Sequence, residues 1–184
     1  MTFTETDVDQ LQLPPGWHAE LIEGEIVLSK APSFWHDLVA SNLVVALQTW
    51  SRAHGHGQAT TGAGVLYAAD EQVIPDAVWA STERLRALDE AGHFRGAGPE
   101  LVIEVVSPGR RADQRDRQDK LAVYTRRDAL EYWIADTVRR TLDIYRRRAV
   151  SEPLEHAGSL SERDTLTTPL LPGFSVRLAE VFAR

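Results

Sequence analysis

The sequence contains no cysteine. That excludes a disulfide framework, a thiolate zinc site and a cysteine nucleophile together. No stretch approaches the roughly 18 consecutive apolar residues of a membrane-spanning helix, and the opening MTFTETDVDQ lacks the basic start and apolar run of a secretory signal. There is no Walker A loop, no GxGxxG and no nucleophile elbow. These absences point to a cytoplasmic protein that does not enter membranes. Lysine is scarce: of 20 Lys+Arg residues, only Lys30 and Lys120 are lysine. Positive charge is short overall, and a net charge of -7 argues against a protein whose whole surface grips a polyanion.

What remains is an ordinary globular composition. The 184 residues are 43% hydrophobic and 26% charged, which suits one domain over 1–184, with a core over about 17–148 and a C-terminal extension over 149–184. Residues 101–150 carry 12 Lys+Arg against 8 Asp+Glu, an excess of +4 that leaves -11 elsewhere. The arginine run at 146–148 reads either as solvated faces or as phosphate contacts.

Hydrophobic spacing outlines the elements. AELIEGEIVLS suggests a β-hairpin turning at Glu23-Gly24. Phe34, Trp35, Leu38, Val39, Asn42, Val45 and Trp50 fall near helical spacing, and glycines end that helix. GAGVLYAADEQVIPDAVWAS supplies two strands, the second opening at Pro75, where a missing N–H is tolerated. ELVIEVV is a further strand, followed by a turn at Ser107-Pro108-Gly109 and a segment helical from about Asp113. LEYWIAD and RTLDIYRR read as a hairpin, and 149–168 reads as a long polar loop. The order implies an α/β or α+β domain, a mixed central β-sheet flanked by helices with an N-terminal β-hairpin.

One strand poses a chemical question. In LVIEVV, Leu101, Ile103 and Val105 share one face, and Val102, Glu104 and Val106 the other. A run apolar on both faces belongs inside a sheet, where a lone carboxylate is strongly disfavoured. Either Glu104 lies near the strand end and reaches water or an arginine, or a cation answers it. Asp76, at another element boundary, would complete a hard-oxygen site for Mg²⁺ or Mn²⁺ if the two converge. Lys120, in a chain that otherwise draws arginine, suits chemistry wanting a compact ammonium. Asp116, Lys120 and Tyr124 stand at i, i+4 and i+8 on one helix face, so Asp116 can orient Lys120; an ordinary surface ion pair, with Tyr124 in the core, is the plainer reading. His54 and His56 read as solvated loop residues, and Trp50 and Trp133 as core.

A Pro-Asp at a strand start, then ELVIEVVSP, then D-x-x-x-K-x-x-x-Y, then EYWIAD resembles the Uma2 family of the PD-(D/E)XK nuclease superfamily. AELIEGEIV and His36 resemble its front end, and TTPLLPGFSVRLAEVF its close. The resemblance implies a restriction endonuclease-like fold in which Asp76 and Glu104 bind the metal and Lys120 completes the catalytic set. Glu20, His36, Asp116 and Tyr124 match family positions around that site. The superfamily usually places its lysine two residues after the glutamate, where this chain has Val106; the family lysine lies on the following helix instead.

The implied activity is metal-dependent hydrolysis of nucleic acid, DNA foremost, by a homodimer. Mg²⁺ or Mn²⁺ acidifies water and stabilises phosphoryl charge. The alternative is an inert nuclease-like fold serving as a binding or self-assembly module, which the acidic total charge and the lack of a DNA-reading motif favour.

Overall fold

The protein is described by a computed structural model covering residues 2–106 and 118–183. The expected turn at 107–109, the helix start near Asp113, and Asp116 lie outside the described residues.

A short helix α1 (Glu5–Asp9) precedes the hairpin of β1 (Trp17–Ile22) and β2 (Glu25–Lys30). Its two-residue turn needs positive φ at both positions, 51° at Glu23 and 75° at Gly24. Gly24 is also required sterically, since a Cβ there would lie 2.1 Å from Thr2 Cγ2. Helix α2 (Phe34–His54) is capped by the Ser33 hydroxyl, which accepts from His36 N, and ends at Gly55 in the left-handed region.

The following stretch makes more strands than its spacing suggests: β3 (Gln58–Thr61), β4 (Val65–Ala68), β5 (Glu71–Val73) and β6 (Ala77–Ala80). The turn at Ala69-Asp70 splits the expected first strand into two, and the last strand starts at Ala77 rather than Pro75. Then come α3 (Thr82–Leu85), β7 (Phe94–Arg95), β8 (Leu101–Val106), α4 (Lys120–Arg126), β9 (Glu131–Asp136) and β10 (Thr141–Arg146). The expected long loop at 149–168 is a correction: it contains β11 (Glu155–Ser161) and β12 (Thr165–Thr167), followed by β13 (Ser175–Arg177) and α5 (Leu178–Val181). Strand β11 occupies a sheet edge and is largely solvated, so it needs no apolar alternation to form.

Among the described residues, a six-stranded sheet runs β11-β10-β9-β8-β6-β3, and a five-stranded sheet runs β2-β1-β5-β4-β7. Strands β8 and β9 are parallel, while β8 and β6 are antiparallel. The alternation in LVIEVV therefore divides two cores. Leu101, Ile103 and Val105 pack with Leu43, Leu47 and Trp50 of α2 and with Phe174 and Leu178 near the C-terminus. Val102 and Val106 pack with Val65 and Val73 of the second sheet and Val123 and Tyr124 of α4. Each fully buried Leu, Ile or Val contributes about 1.5–3 kcal/mol. Trp50 and Trp133 are core residues, as their sequence context suggests.

The arginine run is not a solvated face throughout. Arg146 Nε pairs with Glu131 Oε1 at 2.7 Å, whereas Arg147 is buried. Its guanidinium donates to the carbonyls of Tyr124, Thr125, Arg127, Ala129, Val150 and Glu152, tying the C-terminus of α4 to the loop after β10. Arg147→Leu leaves buried carbonyls without donors and is expected to lower the unfolding free energy by about 3 kcal/mol. Arg148→Ala, at an exposed position, should change it by less than about 0.5 kcal/mol. Urea denaturation of both variants checks the contrast.

Candidate functional site

Strand β8 sits between β6 and β9, so Glu104 projects from the middle of the larger sheet and is 2% exposed. Water does not answer its charge. Lys120, the first residue of α4 and also 2% exposed, places Nζ 2.8 Å from Glu104 Oε1. The same Nζ lies 2.9 Å from Glu20 Oε1, which comes from β1 in the other sheet. One helical turn on, the Tyr124 hydroxyl donates to Glu104 Oε1 at 3.0 Å. Tyr124 thus serves both readings of its sequence position: it is in the core, and its polar tip is in the site. Its burial first, and Glu104's charge second, push its pKa well above the ordinary range, so it remains a hydrogen-bond donor at neutral pH.

The second carboxylate is held at a junction. Strand β5 belongs to one sheet and β6 to the other, and Ile74-Pro75-Asp76 connects them. Ile74 N donates to Glu20 Oε1 at 2.8 Å. Pro75 has no N–H to satisfy. Asp76 Oδ2 accepts from Val105 N at 2.7 Å, just where the β6–β8 ladder ends. His36 Nε2, from the first turn of α2, lies 3.1 Å from the same oxygen, and its Nδ1 lies 3.3 Å from Asp37 Oδ1. Among the described residues, Asp76 Oδ1 has no protein partner, and the side chain is 24% exposed.

Glu20, His36, Asp76, Glu104, Lys120 and Tyr124 are therefore one connected group joining both sheets, α2 and α4. Asp116 lies outside the described residues. His54 and His56 are apart from this group; His54 stacks on Trp50 with ring centroids 4.4 Å apart. Sequence reasoning missed the amides of Ile74 and Val105, and residue identity offers no signal for them, because every residue but proline has one. Within this group the carboxyls of Glu20, Asp76 and Glu104 stand against the Lys120 ammonium and the His36 imidazole. Among the described residues, no three His, Cys, Asp or Glu form a ready-made metal cage. Asp76, with one oxygen unpartnered among the described residues on a side chain 24% exposed, is the kind of ligand a hard cation such as Mg²⁺ takes while keeping most of its waters.

The His36–Asp76 pair has a defined pH dependence. Burial opposes the imidazolium, but Asp76 and then Asp37 outweigh it and raise the His36 pKa above 6.5. Burial likewise opposes the Asp76 carboxylate, yet His36, Lys120 and the Val105 amide hold its pKa below 3.8. Stabilisation through His36 is complete below pH 6.5 and is lost as pH rises through its raised folded value. That through Asp76 is complete above pH 3.8 and is lost as pH falls through its lowered folded value. Both act together between those pH values. In metal-free protein, NMR titration should place the His36 pKa above 6.5, and Asp76→Asn should lower it, because Asp76 is the larger of the two carboxylate influences that raise it. An unmoved value in the variant would contradict this account.

Comparison with known proteins follows the same lines. A crystal structure described as "a putative nuclease belonging to DUF820", from Anabaena variabilis ATCC 29413, superposes with a TM-score of 0.77 at 17% identity, over 98% of each chain. It shares the fold. No curated protein is a match. Residues 6–179 match the family described as "Uma2: Putative restriction endonuclease", so the chain belongs to the Uma2 family.

Proposed function

We propose that the protein is a metal-dependent nuclease hydrolysing phosphodiester bonds of nucleic acid, DNA foremost, with Asp76, Glu104 and Lys120 as its catalytic set. The observation that carries this reading is the buried Lys120 ammonium, 2.8 Å from Glu104 although it comes from the following helix. Asp76 and Glu104 would hold Mg²⁺ or Mn²⁺. When bound, such an ion polarises a phosphoryl oxygen and acidifies its water.

The chain's own groups supply the rest. Lys120 brings positive charge to the oxygens on which negative charge grows, a contribution worth roughly 3 kcal/mol at comparable sites. Tyr124 and Lys120 fix Glu104 Oε1, while His36 and the Val105 amide fix Asp76 Oδ2. Glu20 orients Lys120 from the second sheet. A symmetric homodimer would present two such sites to two strands.

Calorimetric Mn²⁺ titration tests the metal site without guessing a substrate. Wild type should bind, and Asp76→Ala and Glu104→Ala should each weaken binding at least about tenfold, the equivalent of about 1.4 kcal/mol. Plasmid cleavage by Lys120→Ala should fall by roughly 10²-fold. Normal Mn²⁺ affinity in folded Glu104→Ala would overturn the assignment and favour the inert binding module.

A further inference from the structure

The arginine run opens onto a cavity that the candidate site does not use. Arg146, Arg147, Arg148 and His156 line a space of about 450 Å³ where the loop after β10 meets the start of β11. None of the six residues of the connected group is among its walls. Its volume lies within the range of about 300–1,000 Å³ usual for small-molecule sites. His156 makes a fixed wall: its ring meets Tyr145 edge to face with centroids 5.3 Å apart, and its Nε2 lies 3.1 Å from Ser159 Oγ. Pro153 and Ala157 add apolar surface.

The three arginines of this cavity differ in how their charge is answered. Arg146 turns Nε and Nη2 to Glu131, which leaves Nη1 without a partner among the described residues. Arg147 is 6% exposed and makes no ion pair among the described residues; its N–H groups all go to backbone carbonyls. Carbonyl dipoles solvate that charge without cancelling it, and burial lowers its pKa more than the charge of Asp128 raises it. Arg148 is exposed, and its guanidinium has no partner among the described residues. Two carboxylates oppose these cations. Glu152 accepts from the Arg148 amide at 3.1 Å, and Glu155 stands free. Both glutamates are exposed, so water and salt screen them, whereas the buried Arg147 is screened far less. The balance inside the cavity therefore favours an anion. Arg148 and Arg146 Nη1 can donate to it, and a guanidinium fork suits the paired oxygens of a phosphate.

We propose that this cavity binds a phosphate-bearing small molecule of about nucleotide size, its phosphate on Arg148 and Arg146 Nη1 and its remainder against His156 and Pro153. The site shares no residue with the proposed nuclease centre and stands without it. Calorimetric titration of the full chain in EDTA tests it, with dTMP as the probe and thymidine as its phosphate-free counterpart. Wild type should bind dTMP saturably, and thymidine at least about tenfold more weakly. Arg148 is exposed, so its removal spares both cores. Arg148→Ala should weaken dTMP binding by roughly 10- to 100-fold, with Arg148→Lys falling between the two. Arg163→Ala, an exposed arginine in the turn after β11, should leave dTMP binding unchanged and so exclude a general charge effect. In NMR spectra the His156 ring signals should move as dTMP is added. Absence of saturable dTMP binding, or unchanged affinity in Arg148→Ala, would overturn the site. So would Arg148-dependent binding of the oligonucleotide dT15 without binding of dTMP, since the arginine run would then contact the backbone of a strand. Loss of the metal site with Arg148-dependent dTMP binding intact would sink the nuclease reading alone.

Discussion

Everything at the centre of this molecule depends on one ammonium shared by two carboxylates from different sheets. Lys120 lies between Glu104 of the larger sheet and Glu20 of the smaller, and all three are almost wholly buried. Removing one partner of such a group typically costs about 3–5 kcal/mol, yet replacing the whole group with apolar residues is often neutral or stabilising. Stability alone gives no reason for charges here. The proposed nuclease function offers one, because an ammonium held beside carboxylates can offset negative charge growing on phosphoryl oxygens.

Other contacts follow from that constraint. Helix α4 must present Lys120 and Tyr124 on the face toward Glu104, and Arg147 fastens its far end through backbone carbonyls. The connection between β5 and β6 must bring Ile74 N to Glu20 and Asp76 to Val105 N. Helix α2 contributes through its first turn, where the Ser33 cap and the His36 contact with Asp76 coincide. The site is built from element ends and one strand centre, held from both sides.

Much of this was legible in residue order. Apolar residues on both faces of LVIEVV marked an interior strand, and a carboxylate within it marked a partner to be found. The scarcity of lysine singled out Lys120. The polar edge strands β3 and β11 were illegible because they pair on one side only and bury little, so backbone bonding rather than apolar patterning makes them strands. Glu20 and His36 came from family resemblance alone: nothing in a hairpin or a helix start says that its side chain meets Lys120 or Asp76 across the fold. Arg147 was hidden for a similar reason, since one arginine among three differs from its neighbours only by where the chain turns.

The tripeptide Ile74-Pro75-Asp76 sets a limit on how this protein can change. It leaves one sheet, enters the other and delivers three contributions on the way: an amide, a residue with no amide to bury, and a carboxylate. Because side chains alternate along a strand, one residue inserted there would exchange the inward and outward faces of whichever strand absorbed it. The same insertion would carry Asp76 away from Val105 and His36. Length variation must therefore be accommodated elsewhere in the chain, and this joint works as a fixed ruler between the two sheets.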